Sequence, residues 1–260
     1  MDRALAKMEI TWKNVLPIPV SWNTPEVLKS RAEFVAQNLL PFSTKNYIYV
    51  DETGFNLRTK KSKGWALSGH PATLSVLPKG KNITVIGALS REGLIHYRIV
   101  QSLRERRGTT AEDFRSFLLD LLGKIPSGSI IVMDNAKIHH AEILQTLLEL
   151  IRNAHKSEIV FLPPYSPFLN PIEYAFNDLK QSLKPLAIKN KGELIESIKE
   201  KIPLINNEKA KGYFQQVSKY YQQCLMGIAF HGKPLVPELN LDDNSSFQIT
   251  NSSSQMISNS

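Results

Sequence analysis

Thiols are almost absent from this sequence. Cys224 is the single cysteine among 260 residues, so an intramolecular disulfide is impossible and a structural zinc site built on thiolates is excluded. Histidines are few and supply no clustered ligand set. Long hydrophobic runs are missing as well: none reaches the length of a membrane-spanning helix, and the opening MDRALAKMEI lacks the apolar centre of a signal peptide. These absences lead to the expectation of an intracellular chain with no membrane partner, in the nucleus of a eukaryote or in the cytoplasm or nucleoid of a bacterium. There is no acidic excess either. Lys and Arg number 32 against 24 Asp and Glu, a net charge of +8 that points toward a polyanionic partner such as nucleic acid. With 42% apolar residues the chain has ample material for a core.

What is present reads as alternating strands and helices. Thr24 and Pro25 start a helix with Val27, Leu28, Arg31, Phe34, Val35 and Leu39 along one stripe, and Pro41 ends it. Tyr47, Ile48, Tyr49 and Val50 form a continuous apolar run, the pattern of a strand buried on both faces, ending in Asp51. Further strands are expected at Trp65 to Leu67, Ile83 to Leu89 and Leu94 to Val100, an antiparallel meander growing from the first. Thr110 and Asp113 then make a capping box ahead of Phe114, Phe117, Leu118, Leu121 and Leu122 at helical spacing. A second buried strand, Ile130 to Met133, runs into Asp134 and Asn135. A helix with Ile143, Leu144, Leu147, Leu148 and Ile151 inward and a third short strand, Ile159 to Leu162, follow. The whole predicts a mixed sheet flanked by helices. Beyond Lys184 the chain is helical, with Tyr213, Phe214, Val217, Tyr220, Tyr221 and Cys224 read as packing, and the Ser/Asn-rich end as a disordered tail.

The stretch FLPPYSPFLNPIEYAFNDLK, residues 161–180, organises the rest. Asn170 suits an N-cap, Pro171 the first helical position, and Glu173 the third. By itself Glu173 reads as the acid of a capping box, reaching back to the Asn170 amide. Asp51 and Asp134 change that balance, because ligand sites in open sheets lie outside the carboxyl ends of the strands. If the two strands are parallel neighbours, Asp51, Asp134 and Glu173 converge. Three such carboxylates repel one another unless a cation sits among them, and an all-oxygen donor set favours magnesium or manganese. A basic chain offering such a site to a polyanion suits phosphoryl transfer, with two metal ions holding the attacking and leaving oxygens. A glycosidase reading explains neither the third acid nor the basic charge.

Asp51 in YVDETGF, Asp134 in IVMDNAKIHH and Glu173 in LPPYSPFLNPIEYAFNDLK together resemble the catalytic triad of mariner-superfamily DDE transposases. The resemblance covers about residues 22–205. It implies an α/β, RNase H-like fold: a mixed five-stranded sheet, antiparallel meander plus parallel strands, flanked by helices. It also implies that the three acids bind two Mg2+ or Mn2+ ions. Water would cleave a phosphodiester at the transposon end, and the freed 3′-hydroxyl would attack target DNA. The partners implied are transposon ends and target DNA, with a homodimer as a permitted assembly. On this basis residues 1–23 are the remnant of a helix-turn-helix module and linker, 24–45 a linker helix, and 46–205 the catalytic domain. A C-terminal helix (206–236) and the tail (237–260) complete the chain. Thirty-eight residues separate Asp134 from Glu173, a few more than in mariner itself. The alternative function is a transposase-derived or truncated nucleic-acid-binding protein without transposition activity.

Lesser candidates have plainer readings beside the functional ones. Arg58, Lys60, Lys61 and Lys63 are either a solvated hairpin tip or a track for a phosphate backbone. His139 and His140 could orient a phosphate or simply be solvated, and Asn135 could serve the metal site, a DNA phosphate or a turn. Glu52 points to the opposite face from Asp51. Asp113 is read as a cap and Asp178 as a solvent-facing charge.

Overall fold

The computed structural model of the chain describes residues 18–39, 45–56, 68–69, 71, 83–101, 109–135, 142–186 and 188–231. The expected strand at Trp65 to Leu67, the basic cluster Arg58, Lys60, Lys61 and Lys63, the pair His139 and His140, the segment 1–17 and the tail 237–260 lie outside those residues.

A helix α1 (Pro25–Phe34) opens the described chain after a short 3-10 turn, with Thr24 at its N-cap position and Pro25 at the first turn. It runs on into a single π-helical turn, Val35–Leu39. The strands β1 (Tyr47–Phe55), β2 (Ile83–Ser90) and β3 (Gly93–Gln101) form the expected antiparallel meander. After α2 (Ala111–Leu122), the strand β4 (Ile130–Met133), the helix α3 (Glu142–Asn153) and the strand β5 (Glu158–Phe161) complete a sheet of order β3-β2-β1-β4-β5. β4 is parallel to β1 on one side and to β5 on the other. The helices α4 (Pro171–Leu183), α5 (Lys191–Lys201), α6 (Asn207–Ser218) and α7 (Tyr221–Leu225) close the chain.

The two faces of the sheet carry separate cores, as the alternation of side chains along a strand requires. Ile48, Val50, Ile131 and Met133 join Phe114, Phe117, Leu118 and Leu121 of α2 and Leu147, Leu148 and Ile151 of α3 on one face. Tyr47, Tyr49, Ile130 and Val132 face the other way, against Ile172, Ala175, Phe176 and Leu179 of α4. The second core also takes in Phe34, Val35 and Leu39 from the N-terminal side and Ala210, Val217, Tyr220, Tyr221 and Cys224 from the C-terminal side. The segments expected as linker helix, catalytic domain and C-terminal helix thus share one core.

Gly87 of β2 sits opposite Asp51 of β1 on the α4 face. A methyl group there would lie 3.0 Å from a ring carbon of Phe176, closer than nearly all real contacts of this kind. The missing side chain lets α4 lie close against the sheet beside Asp51.

Three expectations change. The strand expected to end at Asp51 continues to Phe55, because β2 goes on pairing with β1 from Asp51↔Gly87 to Phe55↔Ile83 after β4 has stopped. The C-terminal helix expected over 206–236 is two helices, broken where Tyr220 turns in against Phe168, ring centroids 4.9 Å apart. Asp178 is not a free solvent-facing charge: it accepts from Lys209 Nζ and from the Tyr213 hydroxyl, each at 2.7 Å, tying α6 to α4. Those two bonds hold its carboxyl below the ordinary range, the lysine contributing most.

Candidate active site

Register brings the two aspartates together. Val50 of β1 pairs with Met133 of β4, and Met133 with Phe161 of β5. The next residue on β1 is Asp51 and the next on β4 is Asp134, so both stand at the same level at the carboxyl end of the parallel strands. The period of two fixes their side. Asp51 follows Tyr47 and Tyr49, and Asp134 follows Ile130 and Val132, onto the face that α4 covers. Glu52 belongs to the opposite alternation, as expected.

Glu173 reaches this place from above. Leu162 N–H donates to the Met133 carbonyl at 2.8 Å, so the chain leaves β5 beside Asp134 before it turns into α4. That turn is clamped from α1. Arg31, only 1% exposed, donates through Nε to Ser166 Oγ and through Nη2 to the Tyr165 carbonyl, both at 2.9 Å. Its Nη1 donates to Asn23 Oδ1 at 3.4 Å, and its guanidinium lies 5.2 Å over the Phe168 ring. Ser166 Oγ passes the bond on to the Pro164 carbonyl at 2.9 Å. Tyr165 is held with φ at 52°, a left-handed backbone that a non-glycine residue seldom adopts.

The capping-box reading of Glu173 does not hold. Asn170 stands at the N-cap position, but its side chain makes no capping bond, and its own N–H donates to the Pro167 carbonyl at 3.0 Å. Packing sets the helix instead. A cap is worth about 1 kcal/mol, whereas each buried Leu, Ile or Phe contributes about 1.5–3 kcal/mol, and Ile172, Phe176, Leu179 and Leu183 are all buried. The Asn170 amide is turned to the sheet: Nδ2 donates to Asp51 Oδ2 at 2.9 Å. The other carboxylate oxygen, Oδ1, accepts from Glu52 N–H at 2.7 Å.

The acids perturb one another. Burial pushes the Asp51 carboxyl up to about 7; the Glu52 amide acts against this, while Glu173, Asp134 and Glu52 push it further up. The Glu173 carboxyl is also raised, first by burial and then by Asp134, with Lys180 opposing. By surface area Glu173 is nonetheless an exposed residue. Lys180 lies two turns along α4, with Nζ 5.9 Å from the Phe55 ring centroid at the end of β1.

Carboxylate oxygens without thiolate or imidazole suit a hard divalent cation, and mutual elevation of the acids is the strain such a cation relieves. The donor set therefore fits Mg2+ or Mn2+. Among the described residues no group of three acid, His or Cys side chains is gathered tightly enough to hold an ion as a closed shell. The acids are within electrostatic reach of one another, not at ligating convergence.

Sequence reasoning brings Asp51, Asp134 and Glu173 to one place, and Asn135, exposed, follows Asp134 directly. It missed Asn170 as the partner of Asp51 and Arg31 as the clamp on the turn before α4. A charged residue in an otherwise apolar stripe was the one signal for Arg31. For Asn170 the cap position concealed the contact, 119 residues away along the chain.

A family model described as a DDE superfamily endonuclease matches residues 46–195, more than half of the chain. No curated protein matches the sequence. Among solved structures, the Mos1 strand transfer complex matches with a TM-score of 0.70 at 20% identity, over 88% of this chain and 70% of that one. The mariner Mos1 paired end complex with Mg gives 0.68 at 19% identity, over 88% and 71%. The catalytic domain of Mos1 mariner transposase gives 0.58 at 15% identity, over 85% and 100%. These likenesses carry the fold, an RNase H-like mixed sheet flanked by helices. The family match covers both strands that bear the aspartates and the helix that bears the glutamate, and the chain is a member of the DDE superfamily of endonucleases.

Proposed function

We propose that this chain cuts and joins DNA as the catalytic part of a mariner-type transposase, with Asp51, Asp134 and Glu173 holding two divalent cations. One observation carries the reading: three acids, on β1, just past β4 and on α4, lie within electrostatic reach of one another, each of the two with a resolved shift raised partly by another member of the set. The Mos1 complexes with Mg and with Mn support the choice of ion. The Mos1 complexes with a left transposon end and in strand transfer support transposon ends and target DNA as partners. A homodimer belongs to the proposal, since joining paired ends calls for two sites. So does a place in the nucleus or nucleoid, where the DNA is.

Bound divalent cations would neutralise charge on the scissile phosphate and make a better nucleophile of water or a hydroxyl. The chain's own groups do the rest. Asp51 and Asp134 come from paired strands, so their spacing is fixed by the sheet. Glu173 comes from a helix end secured by packing below and Arg31 behind. Asn170 keeps Asp51 from rotating. The exposed face of α4 continues from Glu173 through Asn177 to Lys180 and Lys184, and these lysines would carry the phosphate backbone away from the site. Arg58, Lys60, Lys61, Lys63, Asn135, His139 and His140 remain proposed DNA contacts on sequence grounds. Hydrolysis would leave a 3′-hydroxyl, and its attack on a target phosphodiester would form one bond and release the target strand's 3′-hydroxyl. The complete acid set argues against a chain that only binds DNA.

The test is nicking of supercoiled plasmid DNA with Mg2+ or Mn2+. Asp51→Asn, Asp134→Asn and Glu173→Gln should each fall to background, and double variants should be no worse than single ones, because the acids act as one unit. Full activity in Glu173→Gln alongside dead aspartate variants would remove Glu173 from the set.

A further inference from the structure

Asn170 is 2% exposed, and its amide has one partnered end and one unpartnered end. Nδ2 donates to Asp51 Oδ2 at 2.9 Å, while Oδ1 is buried and accepts nothing. With Asp51 ionised, as a cation requires, the reverse orientation of the amide would set its oxygen against a carboxylate oxygen, two acceptors at hydrogen-bond distance, so nitrogen faces Asp51 in that state. The ordinary use of an Asn before Pro-x-Glu, capping the helix, is not made by this side chain. The bond to Asp51 compensates the nitrogen end of this amide, but the buried, unpaired oxygen end has a cost that nothing among the described residues offsets.

We propose that Asn170 is a positioning residue for a divalent cation at Asp51. Its Nδ2 fixes the Asp51 carboxylate against rotation, and its free Oδ1 is the acceptor for a water of the hydrated cation. Both ends of the amide spring from one carbon, so the unpaired oxygen is carried by the same rigid group that holds the carboxylate. Neutral donation also matters here: an acid at this position would add a further negative charge to three that already repel. Metal-ligating groups elsewhere are commonly held in this way by a second hydrogen-bonding partner, whose loss costs about 10–100-fold in metal affinity. The inference rests on reading Asp51 as a metal ligand, and the experiment separates the two.

Calorimetric titration of Mn2+ into the full chain would compare wild type, Asp51→Asn and Asn170→Ser. Serine caps a helix about as well as asparagine but is too short to reach Asp51, so a mere cap survives the change. Asn170→Ser should weaken Mn2+ binding about 10–100-fold while the thermal midpoint stays within a few degrees. Asp51→Asn should lose the tight site. Wild-type affinity in Asn170→Ser, with binding lost in Asp51→Asn, overturns the role of Asn170 and leaves the metal reading intact. Unchanged affinity in Asp51→Asn overturns the metal reading itself. A second measurement needs no variant to fold: the side-chain NH2 signals of Asn170 in 15N-labelled wild-type protein should shift as Mg2+ saturates the site. Signals that stay fixed while calorimetry registers binding would also overturn the proposal.

Discussion

Asp51 is the residue on which acidity, register and hydrogen bonding meet. Its carboxyl is raised from 3.8 to about 7, chiefly by burial. A carboxyl raised on folding binds its proton more tightly in the native state, so its stabilising contribution is complete below about 4 and is lost as pH rises through about 7. Without added divalent ion, Asp51→Asn should therefore melt a few degrees above wild type at pH 8, with the difference shrinking toward pH 5. Midpoints that coincide at both pH values would show that the acid is not strained. A cation requires the ionised form, so Mn2+ affinity should rise about tenfold per pH unit below ~7 and level off above it. An affinity flat from pH 5.5 to 8 counts against Asp51 as a ligand. The acid itself was legible in the sequence, because a run of four apolar residues ends on it. Its partners were not. Glu52 N–H is its own neighbour turned back onto the carboxylate, while Asn170 reaches it through the fold and has a complete local explanation as a cap.

The element that carries Glu173 is held by another that the sequence shows only as amphipathic. α1 contributes Val27 and Phe34 to the core, and between them Arg31 spends its guanidinium on the turn ahead of α4. Nearby, Asn23 Nδ2 donates to the Phe230 carbonyl at 3.0 Å and Phe230 N–H returns a bond to Asn23 Oδ1 at 2.8 Å. The N-terminal and C-terminal segments of the described chain thus meet beside the loop that aims the glutamate. Lysine at 31 keeps the charge but not the fork, leaving at least one buried acceptor unpaired. Arg31→Lys should cost about 1–3 kcal/mol in urea unfolding, and Ser166→Ala should cost much less once Arg31 is gone. Additive losses in that double-mutant cycle would show the two do not act together. Helix and strand positions were largely legible here because periods of two and 3.6 are local signals. The continuation of β1 past Asp51 was not, since Asp-Glu-Thr-Gly reads as a turn and only pairing with β2 makes it strand. The break between α6 and α7 was hidden for the same reason: Tyr220, Tyr221 and Cys224 suit one helix, and contacts with Phe168 and Phe230 decide otherwise.

The whole molecule is a basic chain that sets three acids near one another. A net charge of +8 draws a polyanion without regard to its sequence, and on the proposed function the three acids would accept it only with cations present. Binding to duplex DNA by this chain should weaken steeply and linearly in log–log form as salt rises. Lys180→Glu should lower the affinity for all sequences alike and make the slope shallower by about one. A footprint confined to one sequence at physiological salt would contradict this account. At this scale the sheet and its flanking helices were legible from the order of elements and the class of site from the spacing of three acids. How closely helix and sheet approach was not, because a glycine in the middle of β2 carries no sign of what lies above it. The side chain of residue 87 is a hydrogen atom, the smallest that chemistry offers, and it faces Asp51 beneath the Phe176 ring. Any larger side chain there meets the edge of that ring at about 3.0 Å, so the ring or the helix that carries it must give by a few tenths of an ångström. Mutation at this position can only add bulk beneath the helix that bears Glu173, so drift there runs in a single direction.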